Sequence, residues 1–269
     1  MKILQNDPDS VKIKVQTHVP LLNTLRRVLL SEVETFAIDI VHIYRNESAL
    51  DDNQLAHRIG LVPIPEMNTV NFLRRENCSC NLDCDHCCLH FRLDVLNVSE
   101  EARVVTSTDF DSYHTFSLME NVLICTLPSQ GQISLLAKAY LGNGKEHVKW
   151  SHVSVPTFYP FPVVTFEEKL GDIGASTSDL FLVHRGKVKP NFGKDLSHIL
   201  NWNGETIRLN AGKSKEIAGN IFIQPHEKDF VFAFQTIGTL NAKENFNKAI
   251  DTLCRKLDSL KSALRTVVA

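Results

Sequence analysis

Asp229-Phe230-Val231-Phe232-Ala233-Phe234-Gln235-Thr236-Ile237-Gly238 is the stretch on which the fold turns, a β-branched and aromatic run with Phe at every second position. Side chains of this kind suit a strand covered on both faces, so a central strand is predicted here. Past Thr239-Leu240-Asn241, a helix-capping region, Phe246, Ile250, Leu253, Leu257, Leu260, Leu264 and Val267 recur at alternating steps of four and three residues, with neither Gly nor Pro among them. That spacing predicts one long helix with a heptad-like seam. The simplest account of an apolar stripe is the inner face of a helix lying on its own sheet. Magnitude makes that account incomplete. At about 1.5–3 kcal/mol per large side chain the stripe represents on the order of 10–20 kcal/mol of burial, comparable to the net stability of a whole domain, about 5–15 kcal/mol. A helix of about 25 residues also spans roughly 40 Å, more than a strand of about ten residues covers. The surplus predicts a second chain.

Working outward, Val11-Lys12-Ile13-Lys14-Val15 alternates strictly and predicts a half-buried strand. Pro20 then precedes Leu21, Leu22, Leu25, Val28, Leu29 and Val33, the spacing of a helix of about four turns with Pro near its start. Arg26 and Arg27 fall mid-helix, either on a solvated face or as an ion-pair anchor for a partner. Residues 38–43 read as a strand, residues 46–52 as a polar turn, and residues 54–60 as a short helix with Gly60 just past its last turn. Alternation in residues 91–98 and in parts of 121–127 and 133–139 makes the middle β-rich. Residues 158–190, with Pro160, Pro162, Pro190, Gly171, Gly174 and Gly186, are read as a boundary with connecting loops. The class is α+β.

Five of the seven cysteines, Cys78, Cys80, Cys84, Cys87 and Cys88, crowd into eleven residues, with Cys125 and Cys254 elsewhere. The segment 1–9 carries no apolar core of a secretion signal, so an intracellular, reducing setting is expected and disulfides are disfavoured. Cys78-x-Cys80-x3-Cys84-x2-Cys87 instead suits four thiolates around one metal ion at about 2.3 Å. Such a site is closed, with no open position for substrate; it would staple a loop. Zinc is the leading occupant, with an iron–sulfur cluster and a redox-active thiol cluster as alternatives. Cys88 neighbours Cys87 and points to the opposite side in an extended segment; His86 is a further ligand type inside the loop.

The chain has 269 residues, 29 Lys and Arg against 31 Asp and Glu, and a formal charge of −2. No net positive field holds a phosphate backbone, so autonomous nucleic-acid binding is not expected. No apolar run approaches a membrane span. Nucleotide-loop, zinc-protease and nucleophile-elbow motifs are absent, so no active site is recognised.

Asn23-Thr24-Leu25-Arg26-Arg27-Val28-Leu29-Leu30-Ser31-Glu32-Val33, Ala37-Ile38-Asp39, and Leu55-Ala56-His57-Arg58-Ile59-Gly60-Leu61-Val62-Pro63-Ile64 closely resemble the alpha-like subunits of cellular RNA polymerases. The cysteine loop, residues 122–125 and residues 144–150 are similar to the branch formed by the third-largest subunits of eukaryotic RNA polymerase II. Subunits shared by polymerases I and III typically lack that loop, and the archaeal alpha-like branch is more distant. The resemblance implies a dimerisation domain built from both chain ends, residues 1–40 and 160–269, around a β-rich insert domain, residues 41–159, with a zinc loop at 78–88. One structural Zn2+ on Cys78, Cys80, Cys84 and Cys87 is implied.

The resemblance also implies a nuclear, non-catalytic scaffold for mRNA transcription. It would pair with a smaller alpha-like subunit and then dock the second-largest and largest subunits, with small zinc-binding subunits as further partners. Leu22, Leu25, Arg26, Arg27 and Leu29 of the first helix, and Phe246, Ile250, Leu253, Leu257, Leu260 and Leu264 of the last, are the implied contacts. Two departures stand out: His152 replaces a Pro common in the family, and residues 167–225 match nothing familiar.

Overall fold

The alternation of residues 11–15 becomes a strand that buries Val11 and Ile13 and leaves Lys12 and Lys14 half-exposed. The structure, a computed structural model, describes residues 2–7, 9–65, 72–80, 83–113, 116–166, 176–177, 181–184, 187–190, 207–210, 220–238 and 240–268. Its elements begin with β1 (Lys2–Asn6), β2 (Ser10–Gln16), α1 (Val19–Ser31), β3 (Glu34–Asn46), α2 (Asp52–Gly60), β4 (Cys88–Leu96), β5 (Arg103–Thr106), β6 (Phe110–Ser112), β7 (Leu123–Leu127) and β8 (Gln132–Asn143). They continue with β9 (Val153–Phe166), β10 (Ser176–Thr177), β11 (Phe181–His184), β12 (Lys187–Pro190), β13 (Ile207–Asn210), β14 (Asn220–Thr236) and α3 (Ala242–Val268). The chain is α+β. It forms two units, Met1–Arg26 with Val155–Gln235, and Arg27–Ser154 with Thr236–Ala269.

In the first unit β14 is the central strand, as its composition predicts. The sheet runs β1-β2-β14-β13, and β9 also pairs with β14. Phe230, Phe232 and Phe234 face Val15, Ile13 and Val11 across an antiparallel register, and Val231 on the opposite side is buried too. Lys14 closes the pair with an ion pair to Asp229 at 2.6 Å and lies over the Phe161 ring at 4.0 Å. Strands β10, β11 and β12 form a separate antiparallel meander.

The second unit is built on the antiparallel sheet β3-β8-β4-β6, with β5 and β7 as a further pair. Along β4, Leu89, Phe91, Leu93 and Val95 are buried while Arg92, Asp94 and Leu96 are exposed; on β8, Ile133, Leu135, Ala137 and Ala139 are buried. Leu55 and Ile59 of α2 enter the same core, and Phe36, Phe72 and Phe116 meet edge-on and tilted within it. Asp51 caps α2, its carboxylate accepting from the Asn53 and Gln54 amides. At the far end α3 starts at an Asn241 cap whose Oδ1 accepts from the Glu244 amide.

Three expectations are corrected. Gly60 is the last helical residue, not the one beyond it: the cap falls on Leu61 at φ −95, so no left-handed glycine is needed. Residues 158–166 are not connecting loop but part of β9. Pro160 and Pro162 sit two apart, so their missing donors share one edge of the strand, which spares the other for pairing. Strand β12 runs through Lys187–Pro190, and β1 carries no alternation that distinguished it in the sequence. The alternating part of 121–127 is β7 from Leu123, preceded by Asn121 at φ 58. The expectations about Gly171, Gly174, Gly186, Thr239 and most of residues 167–225 lie outside the described residues, as does the side chain of Val267. Among the described residues no helix is long and apolar enough to cross a membrane.

Candidate metal centre and partner surface

Four sulfurs converge at the mouth of β4. Cys78 follows a 3-10 turn at Arg75–Asn77; Cys84 opens a tight turn in which the Cys87 and Cys88 amides both donate to its carbonyl at 3.0 Å. The Sγ atoms stand 3.6 Å apart for Cys78 and Cys84, 3.6 Å for Cys80 and Cys87, and 3.8 Å for Cys84 and Cys87, and all four lie within 4.8 Å of one another. A tetrahedral ion with metal–sulfur bonds of about 2.3 Å sets its ligands roughly 3.8 Å apart. The spacing therefore fits one metal ion and is far from that of a disulfide, about 2.05 Å. The structure brings together the sequence-predicted set.

Neither alternative ligand joins it. Cys88 is fully buried in the same small cluster as Cys87 and Tyr140, but its Sγ lies 3.6 Å from the Leu89 carbonyl and 3.8 Å from His90 Nε2 and is not among the four converging sulfurs. The His86 ring is exposed; its backbone serves the loop instead, accepting from the Leu73 amide at 2.8 Å. The same residue's amide donates to Cys84, which chiefly brings that thiol down to about 7. Burial pushes Cys87 up to about 12 and Cys88 up to about 11, and the neighbouring Cys78 thiol raises Cys80. In the absence of a cation four adjacent thiolates repel one another, and a bound metal reverses that balance.

A salt-bridged frame, not foreseen in the sequence, fixes the loop to the sheet. Arg74 donates to Glu34 of β3 and to Glu146, each at 2.7 Å. Asp83 takes Lys138 of β8 at 2.8 Å and Arg75 at 3.6 Å, and Arg75 lies over the Tyr140 ring at 4.9 Å. Burial opposes ionisation of Asp83, but hydrogen bonds from Lys138 and Tyr140 outweigh it and hold the carboxyl below its ordinary value. Arg74 and Asp83 carry no motif; only their nearness to the cysteines marks them.

The expected contact residues divide by exposure. Leu22 and Leu29 of α1 are buried within the chain, Leu25 is half-buried, Arg26 donates to Asn23 Oδ1 at 3.0 and 3.2 Å, and Arg27 is exposed. Leu21, 52% exposed, adds an apolar side chain to the open face. On α3, Phe246 is buried, Ile250 is 38% exposed, Leu253 is half-buried, and Leu257, Leu260 and Leu264 are each 56% exposed. The helix is tied down midway by Lys256, 2.7 Å from Glu32, which also holds Lys145 at 3.1 Å.

The model of the RNA polymerase Rpb3/RpoA insert domain matches residues 41–156, the span that holds the cysteine cage and its sheet. The Arabidopsis thaliana protein DNA-directed RNA polymerases II, IV and V subunit 3 is 30% identical over 100% of this chain and 92% of its own length. The Dictyostelium discoideum DNA-directed RNA polymerase II subunit rpb3 is 27% identical over 98% of this chain and 94% of its own. The Archaeoglobus fulgidus DNA-directed RNA polymerase subunit Rpo3 is 28% identical over 99% and 98%. Because the likeness runs through both chain ends as well as the insert, the chain belongs to the Rpb3/RpoA family of alpha-like RNA polymerase subunits.

Proposed function

We propose that this chain is the alpha-like scaffold of RNA polymerase II in the nucleus, without an active site of its own. It pairs through α3 and the open face of α1 with a smaller alpha-like subunit, and the pair docks the second-largest and largest subunits. The observation that carries this reading is the outer half of α3, where three leucines of one seam are each 56% exposed in the isolated chain. An apolar stripe of that extent demands a cover. In this reading residues 1–40 and 160–269 form the dimerisation domain and residues 41–159 the insert. Affinity purification from the native cell with mass spectrometry tests it: co-isolated polymerase II subunits are expected. A polymerase of another class, or no polymerase at all, would overturn it.

Zinc is the proposed ion. Cys78, Cys80, Cys84 and Cys87 would hold it with every coordination position filled, so it would supply folding energy and rigidity, not a reactive water. Elemental analysis of the full chain purified under reducing conditions is expected to give one zinc per chain, and iron or no metal would remove the assignment.

A further inference from the structure

We infer that the exposed half of α3 selects a partner helix whose apolar seam is bordered by carboxylates, and rejects a second copy of this chain. The inference rests on the reading of α3 as a docking surface and adds what the partner must look like. With Ile250, Leu257 and Leu264 at one core position of the heptad and Leu253 and Leu260 at the other, the positions beside the seam hold Asn247, Ala249, Cys254, Lys256, Lys261 and Ala263. None is acidic. Asp251 and Asp258 stand one position further round, as Arg265 does, but of these three only Arg265 lines the exposed groove with Leu257, Leu260 and Leu264.

Lys256 is already neutralised by Glu32. Lys261 and Arg265 have no ion-pair partner among the described residues, and both line the groove formed with Leu257, Leu260 and Leu264. Two cations therefore stand at the lip of an otherwise apolar groove. A second copy of α3, in either direction, sets only neutral or basic residues directly beside its seam, so it brings no carboxylate to the lip of the groove as water is excluded. A helix with Glu or Asp beside its seam pairs with them. Exposed ion pairs are individually weak, so their effect is choice of partner more than strength of binding.

The test uses the full chain and two labelled synthetic helices of about 28 residues with the same Leu and Ile seam, one bordered by Glu and one by Lys. Fluorescence anisotropy at low salt is expected to show the Glu-bordered helix binding on the order of tenfold tighter. Molar salt should close the gap. The double variant Lys261→Glu, Arg265→Glu, checked for folding by circular dichroism, should reverse the order, and the lone wild-type chain should sediment as a monomer. Equal affinities, or a chain dimer abolished by Leu257→Lys, would overturn the inference. Co-expression with the smaller alpha-like subunit separates the two levels. Equal capture by wild type and the charge-reversed variant defeats the charge selection alone, whereas undiminished capture by Leu257→Lys defeats the docking reading beneath it.

Discussion

Cys87 and Cys88 are adjacent and both fully buried in the same small cluster beside Tyr140, yet only the Cys87 sulfur joins the cage, the Cys88 sulfur lying by the Leu89 carbonyl and His90. Cys87→Ser is therefore expected to empty the metal site and Cys88→Ser to retain it, read as metal per chain; equal loss from both would discard the assigned ligand set. Thiol labelling separates this cage from a redox centre: the four ligands should resist alkylation together, whereas one fast-reacting cysteine in metal-loaded protein marks a catalytic thiolate. Other single residues explain departures that sequence left bare. His152, in the place of a proline, is buried and its Nε2 donates to the Glu34 carbonyl at 2.8 Å, while its own carbonyl accepts from Ile237. Glu32 gives a prediction with a sign. Burial opposes its ionisation, but hydrogen bonds from Lys256 and Lys145 prevail and set its carboxyl below the ordinary 4.5. Its contribution is thus present above about 4.5 and fades as pH falls through the lower folded value. Glu32→Gln should cost about 0.5–1 kcal/mol at pH 7, measured by denaturant unfolding, and the difference should vanish in acid; a gap that persists there would mean that charge is not its source.

Among the elements, α3 has two proposed jobs along one seam. Phe246 is buried, so Phe246→Ala should destabilise the chain by about 3–5 kcal/mol. Leu257→Lys, at an exposed site, should stay within about 0.5 kcal/mol of wild type while abolishing capture of the smaller subunit in co-purification. A stability loss at Leu257 comparable to that at Phe246 would mean that the whole helix serves its own chain. Elements with strong periodicity were legible: β2, β4, β8 and α3 lie where alternation or heptad spacing put them, and β14 covers the predicted run to Thr236 but begins nine residues earlier, at Asn220. What failed was punctuation. Prolines read as breaks in residues 158–166 are carried inside β9, where an unpaired edge needs no donor, and Gly60 read as a stop is an ordinary helical position, where an added Cβ would meet the Ile38 carbonyl at a normal contact of 3.5 Å. The four cage cysteines were readable because ligand spacing is local. Arg74, Glu34, Glu146, Asp83 and Lys138 were not, because their partners lie up to 72 residues apart in sequence and only the sheet register joins them.

At the scale of the molecule, the proposed metal and the core would make separable contributions. Zinc-organised peptides owe nearly all their folding to the ion, with about 10–16 kcal/mol of apparent binding energy. The insert sheet has another source: Leu89, Phe91, Leu93, Ile133, Leu135, Leu55 and Ile59 are all buried in one cluster that continues without any sulfur ligand. The ligand loop packs instead in a small satellite with Cys87, Cys88, Tyr140 and Ile40. Even there it is pinned twice over, by Arg74 to Glu34 and Glu146 and by Asp83 to Lys138. Chelation should consequently act locally. Hydrogen exchange after metal removal is expected to rise in residues 72–80 and 83–87 while amides of β3, β4 and β8 keep their protection and far-ultraviolet dichroism hardly changes. Adding Arg74→Ala to the chelated protein should release the loop further, since the remaining tether to β3 is then lost. Cooperative collapse of the sheet on chelation alone would show that the metal holds the whole insert, and would move the ion from a staple of one loop to the keystone of the assembly surface.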